Sequence, residues 1–388
     1  MGDVAITDIQ RTHVSADWTW TFVRVYTDAG VTGTGESYWG PGIGDIIEDC
    51  RSLLIGEDPR DLDYLRHKLF EGTSATGSIA GATVSAISGI DLALHDLAGK
   101  LTDQPAYRLL GGKYRDEARV YVDCHAGAHA TEDAEGDIYA PDAYAAAARE
   151  VVDQGFDAIK FDLDATTRYE RDGHNRHLNA EAVDSKRRLV QAVTEEIGFE
   201  ADAAFDCHWN YTGDSGRRLA SAIEPYNVLW LEDVVPPENL EVQRELTRAT
   251  DTPICAGENL YRTHGVRSLI EEQAVDILQP DMPKFGGMRE TVRAASAADD
   301  YYIPVALHNV SSPLGTMAGA HVAIAIPNFI ALEWHGRGDP RWGDFIQEDS
   351  TIEDGAIPVS EEPGLGVTLS LDALEEFMAD GEELLDPE

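Results

Sequence analysis

Apolar and polar positions alternate along residues 3 to 36, where VAITDIQRTHV, WTWTFVRVYTDAG and VTGTGES read as three strands with an Asp-Ala-Gly turn between the last two. The pattern predicts an antiparallel meander. From Ile43 to Leu69 the period lengthens to that of a helix, and Ala80 to Lys100 is a second helical stretch, rich in small residues and ending near Gly99. These elements make an α+β unit over residues 1–116, closed by the Gly-Gly of LLGGKYRDEA at Gly111 and Gly112.

Beyond that point apolar runs and amphipathic stretches take turns. RVYVDCHAG is a strand, 141 to 154 an Ala-rich helix, FDAIKFDLD a strand, 180 to 197 a helix and ADAAFDCHW a strand. A polar segment from Thr166 to Asn179 is expected to loop over the mouth of the fold. The later apolar runs each end on a polar group: Asp206, Glu232, Glu258, Asp281, His308 and Glu333, at successive intervals of 26, 26, 23, 27 and 25 residues. That interval holds one strand, one helix and two loops, so residues 117–340 read as a parallel α/β barrel with functional groups at the C-terminal strand ends. The segment 341–388, with its turn-rich EEPGLGV and a last short helix, is expected to pack back on the N-terminal unit.

Composition narrows the possibilities. The 388 residues carry 71 acidic and 30 basic side chains, for a net charge of −41. Nucleic acid and anionic membranes are repelled by such a surface, and the acids are spread along the whole chain, as in proteins that work in concentrated salt. Cys50, Cys124, Cys207 and Cys255 show no paired spacing and read as buried thiols. With no charged-then-apolar leader and no run of about 18 apolar residues, the expected location is cytoplasmic.

The strand-end residues suggest a chemistry. Asp206, Glu232 and Glu258 cannot share one pocket as anions without a cation, and a hard divalent ion such as Mg²⁺ takes carboxylate oxygens and keeps positions open for substrate. His308 follows Asp281 by one strand, so a carboxylate can hold its imidazole as a general base. His208 lies two residues past Asp206, and strand alternation puts both on one face; Lys160 and Asp162 share a face by the same logic. One group that removes a proton and another that gives one suggest elimination.

The pattern resembles the mandelate racemase branch of the enolase superfamily across nearly the whole chain. ISGIDLALHDLAGK, RLLGG, LQPD with FGGM, LHN and PGLG carry the resemblance. It implies a modified TIM barrel, (β/α)₇β, under an N-terminal α+β capping domain that contributes specificity loops. It further implies Mg²⁺ on Asp206, Glu232 and Glu258, a His308–Asp281 dyad, Glu333 hydrogen-bonded to a developing enediolate, and a homo-oligomer, often an octamer. Racemases of this group carry Lys-x-Lys on the second strand, where this chain has Lys160-Phe161-Asp162, and Asp206-Cys207-His208 resembles the Asp-x-His of sugar-acid dehydratases. The expected reaction is therefore dehydration of an acid sugar: His308 takes the C2 proton, His208 protonates the leaving 3-hydroxyl, and Glu333 and Lys160 stabilise charge. Trp18, Trp20, the segment Ser37 to Gly42, His125, Asp162, Trp334 and His335 are the candidate substrate contacts. A racemase or epimerase using His308 with Lys160, a lactonising enzyme, and a non-catalytic metal-binding scaffold are the alternatives.

Overall fold

A computed structural model describes residues 4–16, 18–127, 137–164, 175–349 and 352–387. The meander forms as the alternation predicts: β1 (Ile6–Ser15), β2 (Thr19–Thr27) and β3 (Thr32–Ser37) are antiparallel, in that order. The helical stretch from Ile43 to Leu69 comprises two helices, Ile43–Leu54 and Leu62–Gly72. Gly56 takes φ of 87° between them and Pro59 lacks an N–H, so the first helix cannot continue.

The helix Ala82–Thr102 lies directly on β3. A Cβ on Gly33 would stand 2.2 Å from the Ala93 carbonyl oxygen, and one on Gly35 would stand 2.4 Å from the Ala93 nitrogen. The small residues of TGTGES are thus what let a helix backbone touch a strand backbone.

Eight parallel strands follow: β4 (Glu117–Asp123), β5 (Ala158–Asp162), β6 (Asp202–Asp206), β7 (Leu231–Glu232), β8 (Ile254–Ala256), β9 (Ile277–Leu278), β10 (Val305–Leu307) and β11 (Phe329–Trp334). Each pairs with the next, and β11 pairs with β4 to close the barrel. A helix crosses back after every strand from β4 to β10, which gives the (β/α)₇β arrangement. Inside, one buried residue per strand or strand entry forms a layer: Tyr121, Ala158, Ala204, Trp230, Cys255, Ile277, Ala306 and Ala331. Most are small, and the Tyr121 and Trp230 rings fill the remainder edge to face at 5.2 Å. This dry floor puts the charged strand ends above it in a closed space of low polarity.

The tail does more than cover the capping domain. Its strand β12 (Ala356–Pro358) pairs antiparallel with β4. Gly364 of the PGLG turn presses on the helix Ala82–Thr102, where Asp96 accepts from the N–H of Leu365 at 2.9 Å and of Thr34 at 2.8 Å. Farther on, Asp386 and Glu382 bond Gln10 and Arg11 of β1. All four cysteines are buried and unpaired. Among the described residues no helix is long and apolar enough to cross a membrane.

Candidate active site

The barrel register sets Asp206 directly beside Glu232, and Glu258 follows β8 two residues past Ala256. One oxygen from each of Asp206, Glu232 and Glu258 lies within 4.8 Å of the others, and all three side chains are buried. Each has its second oxygen pinned. Asp206 Oδ1 accepts from the His208 N–H at 2.8 Å. Glu232 Oε2 accepts from Trp230 Nε1 at 2.8 Å and Gln279 Nε2 at 2.9 Å, and Glu258 Oε1 accepts from Asn259 Nδ2 at 2.5 Å. Each carboxylate thus has one oxygen held by a neutral donor while its mate meets Lys160 or His308, and three carboxylates clustered in this way are a set that could hold a hard divalent cation.

The electrostatics agree. Burial raises Glu232 and Asp233 well above the usual carboxylate range, and the neighbouring carboxylates push in the same direction. A cation at the centre of the row would relieve both.

Lys160 stands beneath the row, its Nζ 2.6 Å from Glu333, 3.0 Å from Glu232, 3.3 Å from Asp206 and 3.7 Å from Asp123. Burial opposes its charge, but Glu232 and Glu333 overcome that and hold its pKa well above the ordinary lysine value. It is a fixed positive charge and not a base.

His308 and Asp281 meet as the spacing predicts. The strands β9 and β10 end in a parallel bridge between the two residues, and Asp281 Oδ2 accepts from His308 Nδ1 at 2.6 Å. Nε2 therefore faces inward, 2.9 Å from Glu258 and 3.6 Å from Glu333. Glu333 is oriented by Asn309, whose N–H donates to Oε2 at 2.9 Å and whose side chain bonds Thr316 and the Glu333 carbonyl.

His208 arrives at its expected place by a different route. The strand stops at Asp206, and His208 and Trp209 take left-handed φ of 42° and 60°. Strand alternation is therefore not what aims the side chain; the turn is. His208 Nε2 lies 3.4 Å from Asp206, while Nδ1 lies 3.3 Å from Asp164, a residue the sequence reading did not single out. Burial pulls its pKa down, but Asp164, Asp206 and Asp162 together push it up to about 11.

The other expected contacts separate into two groups. His125, Asp162 and His335 gather beside Lys160: His125 Nδ1 is 3.5 Å from Asp162, and His335 Nε2 is 2.9 Å from Asp123 and 3.4 Å from Glu333. Trp18 closes over them, edge-on to His335 at 5.3 Å and stacked with His125 at 6.3 Å. By contrast Trp20 is 3% exposed, donates Nε1 to the Val310 carbonyl, packs on Phe345 and lines a cavity with Trp18, Glu36 and Tyr38. Trp334 stacks on Phe156. Of the segment Ser37 to Gly42, Trp39 is exposed and Tyr38 lies under the Lys284 ammonium. Residues 166 to 174 of the polar segment lie outside the described residues.

One signal in the sequence would have exposed more. Asp-Cys-His occurs twice, at Asp123-Cys124-His125 and Asp206-Cys207-His208. In both copies the histidine has positive φ and its N–H donates 2.8 Å to the aspartate Oδ1.

Comparison with known proteins agrees with this geometry. Residues 143–373 match the family described as enolase C-terminal domain-like, and residues 6–111 match the mandelate racemase / muconate lactonizing enzyme N-terminal domain. The chain belongs to the enolase superfamily. Among its relatives, the D-xylonate dehydratase of Haloferax volcanii is 55% identical over 387 residues, covering 100% of this chain and 92% of that one. A D-galactonate dehydratase family member of Pseudarthrobacter chlorophenolicus is 28% identical, covering 97% and 94%. A crystal structure of a mandelate racemase/muconate lactonizing enzyme-like protein from Rubrobacter xylanophilus superposes with a TM-score of 0.93 at 42% identity, covering 99% of this chain and 100% of that one. Within the superfamily the chain is an enzyme of the hydro-lyase class, as its dehydratase relatives are.

Proposed function

We propose that this protein is a Mg²⁺-dependent dehydratase of an acid sugar, an aldonate, that removes the C2 proton and expels the 3-hydroxyl to give a 2-keto-3-deoxy acid. The observation that carries the reading is the placement of two histidines, each with a carboxylate on Nδ1, against the two outer members of the carboxylate row. His308 stands at Glu258 and His208 at Asp206.

Asp206, Glu232 and Glu258 would hold the ion, which when bound supplies a Lewis acid for the substrate carboxylate. The other steps belong to side chains. Asp281 keeps the Nδ1 proton of His308 in place, so Nε2 is the atom that accepts the C2 proton. Lys160 sits where charge develops and its ammonium offsets it, while Glu333, oriented by Asn309 and kept ionised by Lys160, holds that ammonium in place. His208, backed by Asp164, donates a proton to the departing hydroxyl. Because Lys160 is locked among four carboxylates, it does not serve as a second base opposite His308, and this favours elimination over two-base racemisation.

Trp18 with His125, Asp162 and His335 would border the distal hydroxyls. A pentonate is the first substrate to test, because the relative at 55% identity is named for D-xylonate. The assay incubates the protein in molar KCl and Mg²⁺ with D-xylonate, D-gluconate, D-galactonate, L-arabinonate and L-fuconate, and detects 2-keto-3-deoxy acids with semicarbazide. Product that disappears on adding EDTA is expected. No product from any aldonate, together with deuterium exchange at C2 in recovered substrate, would sink the dehydratase reading.

A further inference from the structure

Asp281 and His308 lie past the ends of their strands. β9 stops at Leu278 and β10 at Leu307, and the two residues share only an isolated bridge. Asp206 and Glu232, in contrast, sit inside the ladder between β6 and β7. The barrel's own hydrogen bonds therefore fix two carboxylates of the row but leave the proton-abstracting pair on connecting segments, where a backbone is ordinarily least constrained.

Those two segments are held from the capping domain. After β9, the Pro283 carbonyl accepts from the Tyr38 N–H at 3.1 Å. The N–H groups of Gly286 and Met288 donate to Ser88 Oγ and Asp91 Oδ2, each at 2.8 Å, from one face of the helix Ala82–Thr102. After β10, the Val310 carbonyl accepts from Trp20 Nε1 at 3.1 Å, and Glu36 accepts from the N–H groups of Ser312 and Gly315, each at 3.2 Å. These bonds fall on main-chain groups two to seven residues past Asp281 or His308. A Cβ on Gly287 would stand 2.2 Å from Asp91 and one on Gly315 would stand 2.8 Å from Glu36, so neither approach leaves room for a side chain. The turn that carries His208 is held by barrel partners instead. There the N–H groups of Trp209 and Tyr211 donate to the carbonyls of Asp233 at 2.5 Å and Val234 at 3.2 Å, and the Tyr211 hydroxyl donates to the Leu163 carbonyl at 2.6 Å.

We propose that the capping domain positions the proton-abstracting pair, with Ser88 and Asp91 setting the segment of Asp281, and Trp20 and Glu36 that of His308. The inference rests on His308 as the base of the proposed reaction. A base must stand within hydrogen-bond reach of the proton it takes, and a displacement of about 1 Å can cost roughly 100-fold. The capping domain thus acts on removal of the C2 proton, while expulsion of the hydroxyl depends on the turn held by the barrel.

The test uses the full chain with Mg²⁺ and an aldonate turned over by wild type, carrying protium or deuterium at C2. Ser88→Ala, Trp20→Phe and the double variant are compared with wild type for kcat, KM, the C2 isotope effect on kcat, Mg²⁺ affinity by calorimetry and melting temperature. Exchange at C2 is read with His208→Gln added, which isolates proton removal. Because Trp20 also lines the cavity with Trp18, its effect is read on kcat and not on KM. Expected in the double variant are kcat and exchange lowered together by roughly 10- to 100-fold, an isotope effect no smaller than in wild type, and unchanged Mg²⁺ affinity. Variants that melt earlier with kcat and exchange intact would make these contacts packing only and overturn the proposal. So would slower dehydration with exchange kept, or an isotope effect that vanishes, since either puts the loss outside proton removal. If the double variant does not fold, Ser88→Ala, which deletes one hydroxyl, carries the test. Exchange that persists in His308→Asn would instead sink the assignment of the base, a failure separate from that of the positioning residues.

Discussion

The two Asp-Cys-His turns, one after β4 and one after β6, share a sequence, a left-handed histidine and the same 2.8 Å bond from its N–H to the aspartate. Their surroundings differ. Asp206 has Glu232 beside it on the next strand and joins a carboxylate row, with Lys160 3.3 Å away; Asp123 faces His335 at 2.9 Å, with Lys160 3.7 Å away. His208 is backed by Asp164 near the carboxylate row, whereas His125 lies under Trp18 and meets Asp162. A local motif thus supplies an aimed imidazole, and the neighbouring strands decide which charged groups surround it.

The largest expected difference is in ion binding. Asp206→Asn should abolish Mg²⁺ uptake by calorimetry and with it turnover, while Asp123→Asn should keep the ion. Equal losses in the two variants would erase the distinction between the turns.

Next comes proton transfer. His208→Gln should lower dehydration by roughly 10²- to 10⁴-fold yet retain deuterium exchange at C2, because His308 is untouched. His125→Gln should leave kcat within about tenfold and raise KM, as loss of a hydrogen bond to substrate does. If His125→Gln instead stops elimination while exchange continues, the two histidines have been assigned the wrong way round. Asp164→Asn should have a smaller effect, about tenfold on kcat, again with exchange kept. Loss of exchange in that variant would mean that Asp164 supports the whole site and not His208 alone.

The smallest effect lies outside both turns and serves as their control. Glu36 of β3 is wholly buried and bonds Ser312 and the N–H of Gly315, at the start of the helix that follows His308. Burial pushes its pKa up to about 7, against the partial relief from those donors. The folded state therefore holds this proton more tightly than the unfolded chain does. The stabilisation is complete at low pH and falls as pH rises from the ordinary carboxylate range through about 7. Glu36→Gln should flatten that part of the melting-temperature profile by a few degrees, measured in constant salt. An unchanged profile would mean that the slope belongs to the site carboxylates.

Much of this was readable in the chain. The regular interval from Asp206 to Glu333 identified a barrel and its chemical end, because a strand, a helix and two loops have a nearly constant length. The same interval put His308 beside Asp281. An aromatic residue in a capping strand such as Trp20 looks alike in sequence whether it faces a cavity or the core; its bond to the Val310 carbonyl and its contact with Phe345 exist only in the fold. The helical pattern from Ile43 to Leu69 becomes two helices because Gly56 and Pro59 interrupt it while its apolar period continues on both sides.

The sequence by itself determined the order of elements and the closing of the barrel and singled out the three strand-end carboxylates, since each depends on local periodicity and on the strand end at which a residue falls. Tertiary structure alone decided the partners. Lys160 became a locked cation, Asp164 a support for His208 and Asp233 a carboxylate without a donor because side chains far apart in sequence, or turned by a left-handed backbone, were brought within 4 Å or held apart. Periodicity specifies which face a residue occupies; distance, burial and charge, which set its chemistry, exist only once the strands close into a ring.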